Sequence, residues 1–237
     1  MLLPSGYELY TVGDNAITIS FGNTISVETN QIVIAVFHTV QQRKILGVRD
    51  IIPAYSSVTV CYDILRIREK YPSAEQFIRK ELEKILSHDI QVQEEKTALI
   101  NIPVCYDISL GVDLHEMAEI KQIPVEEIIR IHSSTTYRVF MTGFLPGFPY
   151  MGMVDEKIAM PRKTEPRTKV AAGSVGIADR QTGIYPLESP GGWNIIGQTP
   201  VQLFDAEKTN PVLLQAGNLV RFTPISIETF YHLKKKK

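Results

Sequence analysis

The sequence predicts an α+β domain over residues 1–90, followed by a β-barrel domain over residues 97–237. Three observations carry that prediction. The first ninety residues alternate strand-type and helix-type hydrophobic patterns in the order ββαββα, which builds a small sheet with helices on one face. A polar run, HDIQVQEEK at 88–96, marks the boundary. Beyond two short helices, short strand patterns then alternate with turn residues to the end, as in a closed or nearly closed barrel.

Each element has a local reason. Residues 7–12 and 16–21 read as strands joined by the turn Gly13-Asp14-Asn15. Val33, Val36, Phe37 and Val40 follow the i, i+3, i+4, i+7 spacing of an amphipathic helix. Two β-rich runs follow, at 48–53 and 57–62. The next helix spans 74–86: Ser73 and Gln76 form a capping box, and Phe77, Ile78, Leu82 and Ile85 form its apolar face. Residues 97–105 open the second domain as a strand. Asp113 and Glu116 are expected to cap a short helix. Pro124 is expected at the first position of another, with Glu126 and Glu127 where the helix dipole favours anions. Residues 220–225 read as the last strand, and Lys234–Lys237 as a solvated tail.

Composition narrows the function. A net charge of −1 gives no general attraction to nucleic acid or anionic membrane. No apolar run approaches the ~20 residues of a membrane span. The start, MLLPSGYELY, lacks the basic and apolar regions of a signal peptide. Cys61 and Cys105 lie among strand-like apolar residues and read as reduced packing residues of a cytoplasmic protein.

The chemistry concentrates in Tyr137–Pro200. These 64 residues hold 9 of the 15 glycines, 7 of the 14 prolines and the only tryptophan, Trp193. So many special backbone positions, interleaved with aromatics, describe a surface shaped to hold something. Familiar catalytic motifs fail within it. Gly173-Ser174-Val175-Gly176 has Ala172 where a hydrolase elbow has glycine, and only His232 follows as a histidine, so it reads as a barrel turn. Gly192-x-x-x-x-Gly197 is followed by Gln198 where a phosphate loop needs lysine, so the chain has no Walker site. There is no HExxH and no paired CxxC, so no metal is expected.

Other residues carry two readings each. His132 continues the apolar face of Val125, Ile128 and Ile129. It is either a core histidine satisfied by a backbone carbonyl, or a general acid/base at a pocket mouth. Arg162 and Arg167 stand in the proline-stiffened run PRKTEPR, either as solvated charge or as contacts for a carboxylate or phosphate. Phe144, Phe148, Tyr150 and Trp193 either fill a core or line a groove.

The runs GFLPGFPYMG (143–152), PRKTEPRTKVAAGSVGIADRQTGIYP (161–186) and SPGGWNIIGQTP (189–200) resemble the allophanate hydrolase subunit 1 family. NIPVCYD (101–107) and VEEIIRIHSSTTYRVFMTGF (125–144) resemble it too. The resemblance implies a cyclophilin-like β barrel as the C-terminal domain. It also implies one of two functions. The first is the B component of a multi-subunit, ATP-dependent 5-oxoprolinase, a cyclic amide hydrolase that opens 5-oxo-L-proline (pyroglutamate) to L-glutamate. That component is inactive alone and works with an allophanate hydrolase subunit 2-type partner and a lactam-binding subunit; ATP is used by the assembly. The second is a KipI-type inhibitor that docks on a sporulation sensor histidine kinase. A urea or amide carboxylase module would need a biotin-dependent carboxylase chain nearby, and no Met-Lys-Met-type biotin acceptor stands in this chain. The expected site combines His132, Arg162 and Arg167 in catalytic roles with a groove of Tyr137, Phe144, Phe148, Tyr150, Gln181, Tyr185 and Trp193.

Overall fold

The computed structural model describes residues 6–87, 90 and 99–235. The chain divides into two compact units, Met1–Lys96 and Thr97–Lys237.

In the first unit, β1 (Glu8–Val12), β2 (Ala16–Ser20), β3 (Val48–Pro53) and β4 (Ser57–Tyr62) form an antiparallel sheet in the order β1-β2-β4-β3. Period-two alternation in β4 puts Val58, Val60 and Tyr62 in the core and the residues between them half-buried. Helices α1 (Val27–Arg43) and α3 (Ala74–Leu86) cover the sheet, burying Val33, Val36, Val40, Ile78 and Leu82 with Ile17 and Ile19. Both begin at serine caps: Ser26 Oγ accepts from Thr29 N at 3.1 Å, and Ser73 Oγ from Gln76 N at 3.3 Å. The structure adds a helix the sequence pattern does not announce, α2 (Ile64–Arg68). Its cap Asp63 accepts from Arg66 N and pairs with Arg49 at 2.6 Å, while Ile67 packs over Gly47. The boundary run at 88–96 lies outside the described residues except for buried Ile90.

The second unit is built on a seven-stranded sheet. Its strands are β5 (Leu99–Val104), β6 (Thr136–Thr142), β7 (Pro149–Gly152), β9 (Ser174–Ala178), β10 (Gln181–Ile184), β12 (Asn194–Gln198) and β13 (Leu219–Pro224), in the order β12-β9-β10-β7-β6-β13-β5. The pairs are antiparallel except β5 with β13. The two ends of this sheet meet: Cys105 N donates to Gln198 O, and Gln198 N to Cys105 O, each at 2.9 Å. The sheet is thereby nearly closed, with Val104, Val139, Val175, Ile177, Ile196 and Phe222 in its core. A Cβ at Gly197 would lie 2.7 Å from Cys105 O, so this position admits only glycine without movement. A separate ribbon pairs β8 (Arg167–Val170) with β11 (Ser189–Gly191).

Helices α4 (Leu114–Lys121) and α5 (Val125–Ser134) fall where the sequence places them, with two differences at their starts. Asp113 occupies the cap position of α4 but makes no cap hydrogen bond, because its carboxylate is engaged elsewhere. Pro124 is the cap residue of α5 rather than its first helical residue; its ψ of 149° is extended. The expected last strand is present as β13, and a helix the sequence pattern does not announce, α6 (Ile227–Lys235), follows it where a solvated tail is expected; Lys236 and Lys237 lie outside the described residues. Ser226 Oγ caps Thr229 N, Phe230 is buried, and Lys234 and Lys235 lie within the last turn, where cations suit the helix dipole. Among the described residues, no helix is long and apolar enough to cross a membrane.

Closure through a glycine predicts sensitivity at that point. Gly197→Ala is expected to lower stability by roughly 1–3 kcal/mol through overpacking, read as a reduced midpoint in urea unfolding. Ser73→Ala is expected to cost about 1 kcal/mol in the same measurement.

Candidate functional site

A cavity of about 310 Å³ opens in the second unit, lined by Phe144, Phe148, Tyr150, Arg162, Pro166, Tyr185, Pro190, Gly191, Gly192 and Trp193. The β6–β7 loop supplies Phe144 and Phe148, and β7 supplies Tyr150. The run before β8 supplies Arg162 and Pro166. Tyr185 follows β10, and β11 with the turn after it supplies residues 190–193. Phe148 is the hub of the aromatic wall. Ring centroids lie 4.7 Å from Tyr150, 5.2 Å from Tyr185, 5.4 Å from Trp193 and 5.8 Å from Phe144, three of them edge-on. Such edge-to-face pairs add about 0.5–1.5 kcal/mol each beyond burial.

Glycines make this packing fit. A Cβ at Gly183 would come within 2.9 Å of Phe148 Cζ, and one at Gly191 would overlap the Tyr185 hydroxyl. Phe148, Tyr185 and Trp193 are buried, whereas Phe144 stands 63% exposed at the rim with φ of +65°. A phenylalanine in the left-handed region costs about 1–2 kcal/mol relative to ordinary backbone.

Arg162 is the single cation of the lining, exposed, and without an ion-pair partner among the described residues. Burial raises the pKa of the Tyr150 and Tyr185 hydroxyls; Arg162 opposes this at both, and the Trp193 backbone hydrogen bond opposes it at Tyr185. Both phenols are therefore neutral donors near neutral pH. The lining holds no serine, cysteine or histidine. The arrangement suits binding and orienting a compact, partly apolar molecule with an anionic group at Arg162.

Six expected residues thus meet in one pocket: Phe144, Phe148, Tyr150, Arg162, Tyr185 and Trp193. Four do not, and the structure corrects their placement. His132 is fully buried in the core. Thr182 Oγ1 donates to Gly176 O at 3.0 Å, so it accepts from His132 Nε2 at 2.9 Å, and Nδ1 accepts from the Tyr106 hydroxyl at 2.8 Å. The ring stacks on Phe222, and burial holds its pKa down at about 3. It is a neutral core histidine, satisfied by two side chains rather than by a carbonyl. Tyr137 is likewise wholly buried, against His132 and Phe222. Gln181 opens β10, pairs with Gly152 and Ala178, and is not part of the lining.

Arg167 is drawn to Asp113 instead of the pocket, with Nη2 at 2.6 Å from Oδ1. Lys163 Nζ joins at 3.0 Å from Asp113 Oδ1 and 2.7 Å from Glu116 Oε2. Sequence reasoning missed this cluster, because Asp113 ahead of a helix reads as a cap and no local pattern signals a contact 54 residues away. Pro166, Pro190, Gly191 and Gly192 were visible only as members of the turn-rich runs. Among the described residues, no group of three or more His, Cys, Asp or Glu side chains is placed to hold a metal ion.

Residues 7–214 match the carboxyltransferase domain, subdomain C and D, and the chain belongs to that family. Within it, the chain is 40% identical over 235 residues to the B component of the 5-oxoprolinase of Bacillus subtilis (strain 168), covering 98% of both chains. It is 47% identical over 140 residues to the B component of the 5-oxoprolinase of Haemophilus influenzae, covering 59% of this chain and 66% of that one. Among solved structures it is similar to TTHA0988, with 33% identity and a TM-score of 0.78, over 89% of this chain and 40% of that one.

The buried histidine gives a pH dependence. Its folded pKa of about 3 lies below the ordinary 6.5, so between those values the unfolded chain binds a proton that the folded protein does not. Stability from this site is intact above pH 6.5 and falls with pH by roughly 1.4 kcal/mol per unit until pH reaches the folded pKa. His132→Gln is expected to flatten that slope in urea melts between pH 4 and 7.

Proposed function

We propose that the chain is the B component of a multi-subunit, ATP-dependent 5-oxoprolinase, which opens 5-oxo-L-proline to L-glutamate. The observation that carries this reading is the end-to-end match to the Bacillus subtilis protein. A lactam is a poor electrophile because nitrogen donates into the carbonyl. Phosphorylating the carbonyl oxygen at the expense of ATP makes attack by water and ring opening feasible. The pocket lining offers no nucleophile and no histidine, so the chain acts with partners. These are an allophanate hydrolase subunit 2-type protein and a lactam-binding subunit, and the chain alone is inactive. ATP is held by the assembly, in the cytoplasm. The nearly closed sheet is read as a cyclophilin-like barrel that presents the aromatic pocket.

In that pocket Arg162 is the contact for the substrate carboxylate, since its guanidinium is exposed there and has no acidic partner among the described residues. The aromatic wall excludes water around the ring and strengthens that contact.

The test is 5-oxoproline-dependent ATP hydrolysis by this chain alone and mixed with the two partner subunits, with activity expected only in the mixture. A verified three-part assembly with no such activity would overturn the reading and make docking on a sensor histidine kinase the next experiment. In the active assembly, Arg162→Ala is expected to raise the KM for 5-oxoproline about tenfold to a hundredfold, the value of a charge-assisted hydrogen bond. Unchanged kinetics would remove Arg162 from the site.

A further inference from the structure

Two walls of the pocket come from separate stretches of chain. One is the run 161–167, which carries Arg162 and Pro166; the other is the stretch 190–193, which ends in Trp193. Asp113 reaches both. Its Oδ1 accepts from Lys163 Nζ at 3.0 Å and Arg167 Nη2 at 2.6 Å, the residues directly after Arg162 and Pro166. Its Oδ2 accepts from Ile195 N at 2.6 Å, and its own N–H donates to Ile195 O at 2.9 Å. Residue 113 therefore binds both backbone groups of a residue two places past Trp193. Backbone contacts run alongside, with Lys163 N donating to Gly192 O at 2.8 Å and Asn194 Nδ2 to Pro161 O at 2.9 Å.

Asp113 is 1% exposed. A buried carboxylate is costly unless it is paired and hydrogen-bonded on both oxygens. Here both oxygens are satisfied by the two segments that frame the pocket. The residue sits at a helix cap position yet makes no cap bond, so its side chain is committed to these segments.

We propose that Asp113 is a positioning residue for the pocket, whose carboxylate holds the Arg162 run and the Trp193 stretch at the separation that a ligand requires. It touches no ligand and acts through Lys163, Arg167 and Ile195. Losing it frees Arg167 and the Ile195 N–H and leaves Lys163 with Glu116 alone, and both walls shift relative to each other.

Trp193 is the only tryptophan, so its fluorescence reports the wall directly. In Asp113→Asn that keeps native circular dichroism, tryptophan emission is expected to move to the red, with acrylamide quenching raised about twofold. Should that variant not fold, Lys163→Gln and Arg167→Gln each remove one of the two contacts that tie Asp113 to the Arg162 run and are expected to give the same change in smaller measure, while Arg167→Lys keeps native emission. In the assembled enzyme the KM for 5-oxoproline is expected to rise about tenfold with kcat changed less, as when binding shared by the ground and transition states is lost. Native emission and quenching in a folded Asp113→Asn, or in both glutamine variants, would overturn the proposal. The kinetic arm rests on the 5-oxoprolinase reading and the fluorescence arm does not. An inactive native assembly with a shifted Trp193 spectrum in Asp113→Asn removes that reading alone, and an active native assembly with an unshifted spectrum removes the positioning role alone.

Discussion

The second unit depends on the meeting of its two sheet ends. A seven-stranded sheet has two edges of unpaired backbone groups, and a pair of reciprocal bonds between Cys105 and Gln198 joins them. That join places β12 beside the segment leading to α4. It is the reason that Asp113, at the start of α4, lies within reach of Ile195 in β12. Trp193 of the aromatic pocket directly precedes the same strand. Glycines permit the closeness: a Cβ at Gly197 would lie 2.7 Å from Cys105 O, and one at Gly111 would overlap Ile196 O.

Binding and stability are divided between two sets of residues. The main core surrounds His132, doubly hydrogen-bonded and held neutral by burial. The pocket belongs to a smaller cluster around Phe148, Tyr185 and Trp193. Its walls are aromatic and its one cation is solvated. Of two arginines five residues apart, Arg162 faces the cavity and Arg167 is occupied by Asp113.

Much of this was legible from local pattern. Ser73 with Gln76 marks the start of α3, and the spacing of Val33, Val36 and Val40 marks α1, because capping and periodicity act over one or two turns. The density of glycine, proline and aromatics between 137 and 200 located the pocket, since close packing of rings against backbone needs those residue types. Contacts that local pattern does not encode were missed. Five residues are too few for α2 to display a period, and a lysine run disguised the end of α6. His132 was placed correctly on the apolar face of its helix, but spacing is the same for a core histidine and for one at a pocket mouth. The Asp113 cluster joins residues 50 and 54 positions apart. Only the folded chain brings them together.

The parallel pairing of β5 with β13 carries a consequence for how the molecule is made. Leu99 lies opposite Leu219, and Val104 opposite Pro224. On the ribosome, the first strand of this unit waits for almost the whole of the unit to emerge before its partner exists. Until then β5 lacks its neighbour in the sheet. Non-local pairing of this kind is slow and leaves apolar edges open in the interval. The pairing of β5 is thus set by the arrival of β13, and a ribosome that stops short of β13 releases an open sheet.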